Sequence, residues 1–123
     1  MHISVGHFHG LRDPAGKGDT PVRARQTARA IDLFGRTWQR DGAAVLAGDF
    51  NLLPNSAAFP QFRQAGLHDL IDHHGITDTR TALYEKSQRF ADYMLVSQDL
   101  LGARFDVPAT PVVSDHRALI LDI

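Results

Sequence analysis

The sequence predicts an α/β domain in which helices flank a mixed β-sheet. Residues 2–47 follow the order strand, helix, strand, and two strands joined through a helix usually lie parallel. Three further strand-like segments follow between residues 90 and 123 with no long helix among them, which favours antiparallel pairing. With 43% hydrophobic and 22% charged residues, the 123-residue chain has the composition of one globular domain, not of a disordered or coiled-coil chain.

The first strand and the first helix are predicted from alternation and from helix-start residues. Residues 2–9 alternate between apolar and polar side chains, with one slip in phase, and residues 10–21 are rich in Gly and Pro, as loops are. Thr20 and Pro21 are typical of a helix cap and of the first helical position, so a helix is expected to run from there to about Arg40. Its apolar face, spaced by three or four residues, is predicted to be Ala24, Ala28, Ile31, Phe34 and Trp38.

A buried strand and a shorter helix are predicted next. Ala43–Ala47 is a short, continuous apolar run, which is typical of a strand buried on both faces. Ser56–Ala65 has the pattern of a helix, and Gly66 follows it as a stop signal.

The second half of the chain is predicted to be mainly strands. Residues 68–88 are polar, and within them only Thr79–Thr81 suggests a short extended piece. Phe90–Ser97 is predicted as a strand, Arg104–Val107 as an edge strand, and Ala118–Ile123 as another buried strand.

Composition excludes several classes of protein. The chain has no Cys, so disulfides and thiolate chemistry are excluded and the reducing cytoplasm is the expected compartment. No apolar run approaches the length of a membrane span, and the N-terminus lacks the pattern of a signal peptide. The net charge of −1 and the single Trp argue against a long nucleic-acid track.

The tetrapeptide Gly48-Asp49-Phe50-Asn51 is the first candidate for chemistry. In extended chain Asp49 and Asn51 project to the same side, just beyond the carboxyl end of a buried strand, where α/β sheets collect ligands. A carboxylate beside an amide suits metal or phosphate-ester chemistry. The alternative is an Asp and an Asn that simply start a turn.

Ser114-Asp115-His116 precedes the last predicted strand. If that strand runs antiparallel to Ala43–Ala47, Asp115 and His116 meet Asp49 and Asn51 across one cleft. One of the two can then hold a metal while the other faces the substrate. The alternative is an ordinary loop Asp beside a surface His.

Asp92 is a carboxylate inside an otherwise apolar strand. A buried carboxylate needs a partner because an unpaired one is costly to desolvate. A His is the natural partner, since the hydrogen bond fixes its tautomer and supports proton transfer. The alternative is that this face of the strand is exposed to solvent.

His7 and His9 lie on one face of the first predicted strand. Two imidazoles at this spacing can bind a transition metal or donate to phosphate oxygens. Four cations lie nearby in sequence and can steer an anionic substrate, namely Arg12, Lys17, Arg23 and Arg25.

Together these segments resemble the endonuclease/exonuclease/phosphatase superfamily, the metal-dependent phosphoesterases related to DNase I. The resemblance lies in an ordered series over nearly the whole chain: His7-Phe8-His9, an Arg- and Gln-rich helix, Gly48-Asp49-Phe50-Asn51, the Asp92-Tyr93 strand and Ser114-Asp115-His116. The family's fold is a four-layered α/β sandwich of two packed sheets.

The resemblance implies a divalent-metal-dependent phosphoesterase, a hydrolase that uses an activated water and Mg²⁺ or Mn²⁺. His9 would contact the scissile phosphate, and Asp49 would orient or deprotonate the water while sharing the metal with Asp115. Asn51 would hold the phosphoryl group, and His116, oriented by Asp92, would stabilise the transition state or transfer a proton. His7 and Arg12 would bind substrate, although many members carry Asn where His7 stands.

Members of this family are longer, and their first half supplies an Asn and a metal-binding Glu. By the resemblance, residues 1–123 are a single truncated domain corresponding to the second half of the sandwich. Half a sandwich leaves one apolar sheet face open, so a homodimer or a complementing N-terminal half is the expected cover. The alternative to an enzyme is a non-catalytic remnant or complementing half-domain. The substrate can be a small phosphorylated molecule or a nucleic acid.

Overall fold

A computed structural model describes all 123 residues. The longest element is a helix of 17 residues, and five of the six strands have five residues or fewer, so the fold is organised by a few long elements and several brief ones. In chain order the elements are β1 (Ile3–His7), α1 (Pro21–Thr37), β2 (Ala43–Asp49), α2 (Ala58–Gln64), β3 (His68–Asp69), α3 (Leu70–His73), β4 (Asp92–Val96), a 3₁₀ turn (Gln98–Leu100), β5 (Arg104–Asp106) and β6 (Ile120–Asp122).

The main sheet has four strands in the order β1-β2-β4-β3. β1 is parallel to β2, whereas β4 is antiparallel to β2 and to β3, so the predicted mixed sheet is confirmed. The register places Val5 beside Val45 and Val45 beside Val96. Directly paired residues share a sheet face, so these three valines lie on the same side.

The two central strands form the middle of the core. The residues from Ala43 to Leu46 and every residue of β4 are buried, because both strands have a neighbour on each side. β2 continues two residues beyond the predicted end, to Asp49, and this extension carries an acidic side chain to the sheet edge.

α1 begins as predicted, but part of its predicted buried face is wrong. Thr20 caps the helix by accepting a hydrogen bond from the Arg23 amide, and Phe34 is buried as expected. In its first half, however, Arg23 and Thr27 are the buried residues, whereas Ala24 and Ala28 are exposed. The Arg23 guanidinium donates to the Gly18 carbonyl at 2.6 Å, so a polar contact with the preceding loop sets the helix rotation there.

Gly6 allows α1 to lie close to the sheet. A Cβ at this position would stand 2.8 Å from Phe34 Cδ2 and 2.9 Å from Leu46 Cδ1. A side chain here would therefore push the helix off the strand pair that it covers.

Residues 68–73 form two elements that the sequence did not indicate. His68 and Asp69 pair with Val96 and Leu95 as the outer strand β3. Asp69 then caps α3 by accepting a hydrogen bond from the Ile71 amide at 2.9 Å. A two-residue strand is too short to show any periodicity in the sequence.

The prediction that the final strand is buried is wrong, and the antiparallel pairing with β2 that was considered for it does not occur. β6 pairs instead with β5, the predicted edge strand, in a separate two-stranded sheet, and Ile120 is 46% exposed. The positions beside β2 are already filled by β1 and β4. Leu119 and Leu121 pack against the core, and Leu119 lines one cavity together with Ala47 and Met94. The C-terminal segment therefore covers part of the face of the main sheet that is opposite α1.

Where β1 forms this face of the sheet, nothing covers it and its apolar side chains are exposed to solvent. Ile3 is 38% and Val5 is 74% exposed, although both belong to the apolar alternation that predicts the strand. β1 is also a sheet edge with no partner on its outer side. None of the helices combines the length and the apolar character needed to cross a lipid bilayer.

Candidate active site

Two carboxylates meet where β2 ends and β4 begins. Asp49 and Asp92 are direct partners in the antiparallel ladder, so their side chains leave the sheet on the same face. Asp92 is 8% exposed and Asp49 is partly exposed. The β4 strand that brings Asp92 here is the one that lies antiparallel to β2, a role the sequence had suggested for the last strand.

His116 is the partner that the buried Asp92 required. Its Nδ1 lies 2.7 Å from Asp92 Oδ2 and 2.9 Å from Oδ1. Burial raises the pKa of Asp92, and the hydrogen bond from His116 opposes that shift. With Nδ1 donating to the carboxylate, Nε2 is the imidazole nitrogen that faces the other groups of the site.

Three side chains surround Nε2 of His116. Arg80 Nη1 lies 2.8 Å away, and Asp49 Oδ2 and Asp115 Oδ1 each lie 3.9 Å away. Arg80 also forms an ion pair with Asp115 Oδ2 at 3.3 Å. Because a guanidinium can only donate, Nε2 is the acceptor in the contact with Arg80.

Arg80 is a site residue that the sequence did not identify. Thr79–Thr81 is predicted as a short extended piece, and in the structure this piece holds Ser114-Asp115-His116 in place. Arg80 forms a β-bridge with His116, the Thr81 amide donates to the Asp115 carbonyl at 3.1 Å, and the Arg117 amide donates to the Thr79 carbonyl at 2.9 Å. Asp115 and His116 therefore reach Asp49 through residues 79–81 and not through a strand beside β2.

Asn51 joins the loop after β1 to the loop after β2. Its Nδ2 donates to the Gly10 carbonyl at 3.0 Å, and its amide donates to Asp49 Oδ1 at 3.0 Å. Asn51 has a positive φ of 51°, so the turn predicted as the alternative for this tetrapeptide is also present. Gly10 is essential to the contact, since a Cβ there would stand 1.9 Å from the Phe50 carbonyl oxygen.

One cleft of about 700 Å³ collects most of the predicted site residues. Most of the residues that line it carry acidic, basic or imidazole side chains. The lining residues are His9, Arg12, Asp13, Gly16, Lys17, Arg23, Asp49, Asn51, Arg80, Tyr84, Lys86, Asp115 and His116.

His7 lies outside this cleft. It lines a neighbouring cavity of about 420 Å³ together with Ala47, Met94 and Leu119, and His9 lies where the two spaces meet. β1 ends at His7, so His9 is beyond the strand and the two imidazoles do not share a regular strand face.

The four predicted steering cations separate in the structure. Arg12, Lys17 and Arg23 line the cleft, whereas Arg25 lies in a groove between α1 and β1. Lys17 is half-buried and its ammonium donates to the Phe90 carbonyl. Burial lowers the pKa of Lys17, and the neighbouring Arg80 charge lowers it further.

The donor chemistry of the cleft fits a divalent metal. Asp49, Asp92 and His116 each offer a ligand atom, and these atoms lie within 4.8 Å of one another. Asp115 lies outside this group of three and is paired with Arg80. His7 and His9 are also outside it. Clustered carboxylate oxygens are the ligands that Mg²⁺ and Mn²⁺ prefer.

Comparison with known proteins places this geometry in a family. A sequence profile described as the Endonuclease/Exonuclease/phosphatase family matches residues 10–116, which include Asp49, Asp92 and His116 but not His7 or His9. A search of curated proteins found no match. The α/β sheet, the cleft and a profile match over most of the chain agree, and the chain belongs to the endonuclease/exonuclease/phosphatase family.

Proposed function

We propose that the protein is a divalent-metal-dependent phosphoesterase that hydrolyses a phosphodiester or phosphomonoester with an activated water. The observation that carries this proposal is the arrangement Asp92–His116–Asp49. A buried carboxylate holds Nδ1 of His116, and Nε2 faces a second carboxylate 3.9 Å away in a polar cleft. Family membership supports the same class of reaction.

Asp49 and His116 are the pair proposed to handle the water. Their 3.9 Å separation is too long for a direct hydrogen bond. A water about 2.8 Å from Asp49 Oδ2 can donate a hydrogen bond to it, and it can also donate to Nε2 once Arg80 no longer occupies that lone pair. In hydrolysis its oxygen bonds to phosphorus, its proton passes to Asp49 or His116, and the ester oxygen leaves and takes up a proton.

Asp49 and Asp115 are the residues proposed to hold Mg²⁺ or Mn²⁺. Asp92 is left to orient His116, because both of its oxygens lie within hydrogen-bond distance of Nδ1. When bound, the metal supplies Lewis-acid stabilisation of the charge that grows on the phosphoryl oxygens.

The remaining roles concern the phosphate. His9 is proposed to contact the scissile phosphate and Asn51 to hold the phosphoryl group, with Arg12 binding the substrate from the cleft wall. His7 is proposed as a substrate-binding residue that acts from the neighbouring cavity. The lack of Cys fits a cytoplasmic site of action.

The test is hydrolysis of bis-p-nitrophenyl phosphate with Mg²⁺ or Mn²⁺ present. We expect turnover that is lost in His116→Ala and in Asp49→Ala. His73→Ala is the matched control, because His73 is an exposed His on α3 outside the cleft, and it should keep wild-type turnover. Equal turnover in all four proteins would contradict the proposal and indicate a contaminating enzyme.

A second candidate is a non-catalytic or complementing half-domain that acts through self-association. The unpaired outer edge of β1 and the exposed Ile3 and Val5 favour it. A homodimer or a separate N-terminal half can cover this surface. Light scattering on a sizing column decides whether copies associate, and a clean 13.6 kDa monomer would contradict the homodimer. Activity that appears only when an N-terminal half of a family member is added would favour complementation.

A further inference from the structure

The cleft holds more positive charge than its own carboxylates neutralise. Of its five cations, Arg80 forms an ion pair with a carboxylate, and Arg23 donates to the Gly18 and Leu11 carbonyls. The other three, Arg12, Lys17 and Lys86, have no carboxylate within 4.0 Å, although the chain as a whole carries a net charge of −1. Cations on a protein surface are ordinarily scattered and solvated, whereas these converge on one cleft.

The loop that carries Lys17 is ordered by its own hydrogen bonds. The Ala15 amide donates to Asp13 Oδ1 at 2.9 Å, and the Gly16 amide donates to the Asp13 carbonyl at 3.0 Å. Lys17 then donates to the Phe90 carbonyl, which uses one of the three ammonium hydrogens. A half-buried ammonium with two donors left and no carboxylate partner is stabilised by an anion.

Lys86 provides a further charge in the lining of the cleft. It lies in the loop between α3 and β4, far in sequence from the loop of Lys17, and it is exposed and makes no hydrogen bond. The charges of Lys17 and Lys86 thus come from two different loops that face the same space.

The aromatic content of the cleft argues against a single-stranded nucleic acid. Tyr84 is the single Phe, Tyr or Trp among the lining residues. Its ring is already covered by the Arg80 guanidinium, 3.9 Å from the ring centroid, and Arg89 lies 5.6 Å away. Binding of single-stranded nucleic acid relies on free aromatic faces on which bases stack.

We propose that Arg12, Lys17 and Lys86 form a second anion subsite beside the reacting centre, and that the substrate is a small molecule with two phosphate groups. One phosphate is held by His9 and Asn51, next to Asp49 and His116, and is hydrolysed, and the other is held by the three cations. This inference rests on the proposed phosphoesterase function for the identity of the scissile group.

The experiment measures binding of inorganic pyrophosphate and of orthophosphate by calorimetry, with the metal removed by chelator so that hydrolysis plays no part. We expect the wild-type protein to bind pyrophosphate about tenfold more tightly than orthophosphate, since a second charge contact of this size is worth about 1.4 kcal/mol. In Lys17→Gln/Lys86→Gln the ratio should fall to about one. Arg25→Gln is the matched control, because Arg25 lies outside the cleft, and it should keep the wild-type ratio.

Lys86→Gln alone guards against misfolding, because Lys86 is exposed and has no hydrogen bond to lose. It should still lower the ratio severalfold. A wild-type ratio near one, or an unchanged ratio in the double variant, would overturn the subsite. An oligothymidylate that binds more tightly than pyrophosphate would overturn the small-molecule substrate. Absence of bis-p-nitrophenyl phosphate hydrolysis with a normal binding ratio would instead remove the proposed function and leave the subsite standing.

Discussion

Arg80 Nη1 lies 2.8 Å from His116 Nε2, so a buried guanidinium contacts the imidazole nitrogen that faces the cleft. The same guanidinium group pairs with Asp115 and stacks on the Tyr84 ring. Arg80 thereby fixes the position of two site residues that follow it by more than thirty positions.

Removing the Arg80 charge should impair catalysis more than substrate binding. Arg80→Met keeps the stem but leaves His116 and Asp115 free to move. Since misplacement of a reacting group by about 1 Å costs about 100-fold, we expect kcat to fall between about 10- and 100-fold with a smaller change in KM. Steady-state kinetics measures this, with the exposed Arg104→Met on β5 as the control. Wild-type kcat in Arg80→Met would contradict this role.

Asp92→Asn should reduce turnover strongly while leaving the fold intact. An amide in place of the carboxylate no longer fixes the proton on Nδ1 of His116 or stabilises an imidazolium, so we expect a fall of about 10²- to 10⁴-fold. Because burial raises the pKa of Asp92, a neutral side chain of the same shape should be tolerated there. Hydrolysis assays and thermal unfolding together check the prediction, and loss of the folded state would contradict it.

Asp49→Asn and Asp115→Asn should each weaken metal binding. A cation that binds the native state and not the unfolded chain raises the melting temperature, and it raises it more when it binds more tightly. We therefore expect Mn²⁺ to raise the Tm of the wild-type protein, and to raise it less in either variant. Asp72→Asn, which changes an exposed carboxylate on α3, is the control. Equal shifts in all proteins would place the metal elsewhere.

Stability should decline as the pH rises from about 4 to about 7. Burial raises the pKa of Asp69 from 3.8 to about 7, so the native state keeps a proton there that the unfolded chain has lost. Because the native state binds more protons in this window, the free energy of unfolding falls with pH and levels off above 7. Asp69→Asn keeps an acceptor for the Ile71 amide, and urea unfolding of this variant should show a flatter pH dependence. An unchanged slope would show that other groups cause it.

Gly10→Ala should destabilise the protein, whereas Gly18→Ala should not. A Cβ on Gly10 would collide with the Phe50 carbonyl, but one on Gly18 meets nothing within 4 Å. Because the collision is with backbone, the loops after β1 and β2 must separate, and we expect a loss of about 3 kcal/mol or more in the free energy of unfolding. Denaturant unfolding of the two variants tests this, and similar stabilities would contradict the close approach.

The central elements were predictable from the sequence because their signals are local. Ala43–Leu46 is an uninterrupted apolar run, which predicts a buried strand. Asp92 is a carboxylate within an apolar strand, which predicts that it has a hydrogen-bond partner. The same local reasoning identified Thr20 as the cap of α1.

The errors arose where contacts distant in sequence decide the structure. The rotation of α1 depends on Arg23 reaching a loop carbonyl, and the place of β6 depends on which sheet positions earlier strands have filled. Arg80 received no role because the short segment Thr79–Thr81 does not show which distant residues it contacts. Its importance comes from His116, 36 residues later.

The 36 residues between Arg80 and His116 also bear on how the candidate active site forms during folding. Contact between residues 79–81 and 114–117 closes a long loop, which is entropically costly and slow compared with local pairing. β1, β2 and β4 can associate before this closure, because none of their ladders involves the C-terminal segment. In refolding from denaturant, recovery of β-sheet structure should therefore precede recovery of hydrolysis, and the delay measures the docking of His116 onto a preassembled sheet.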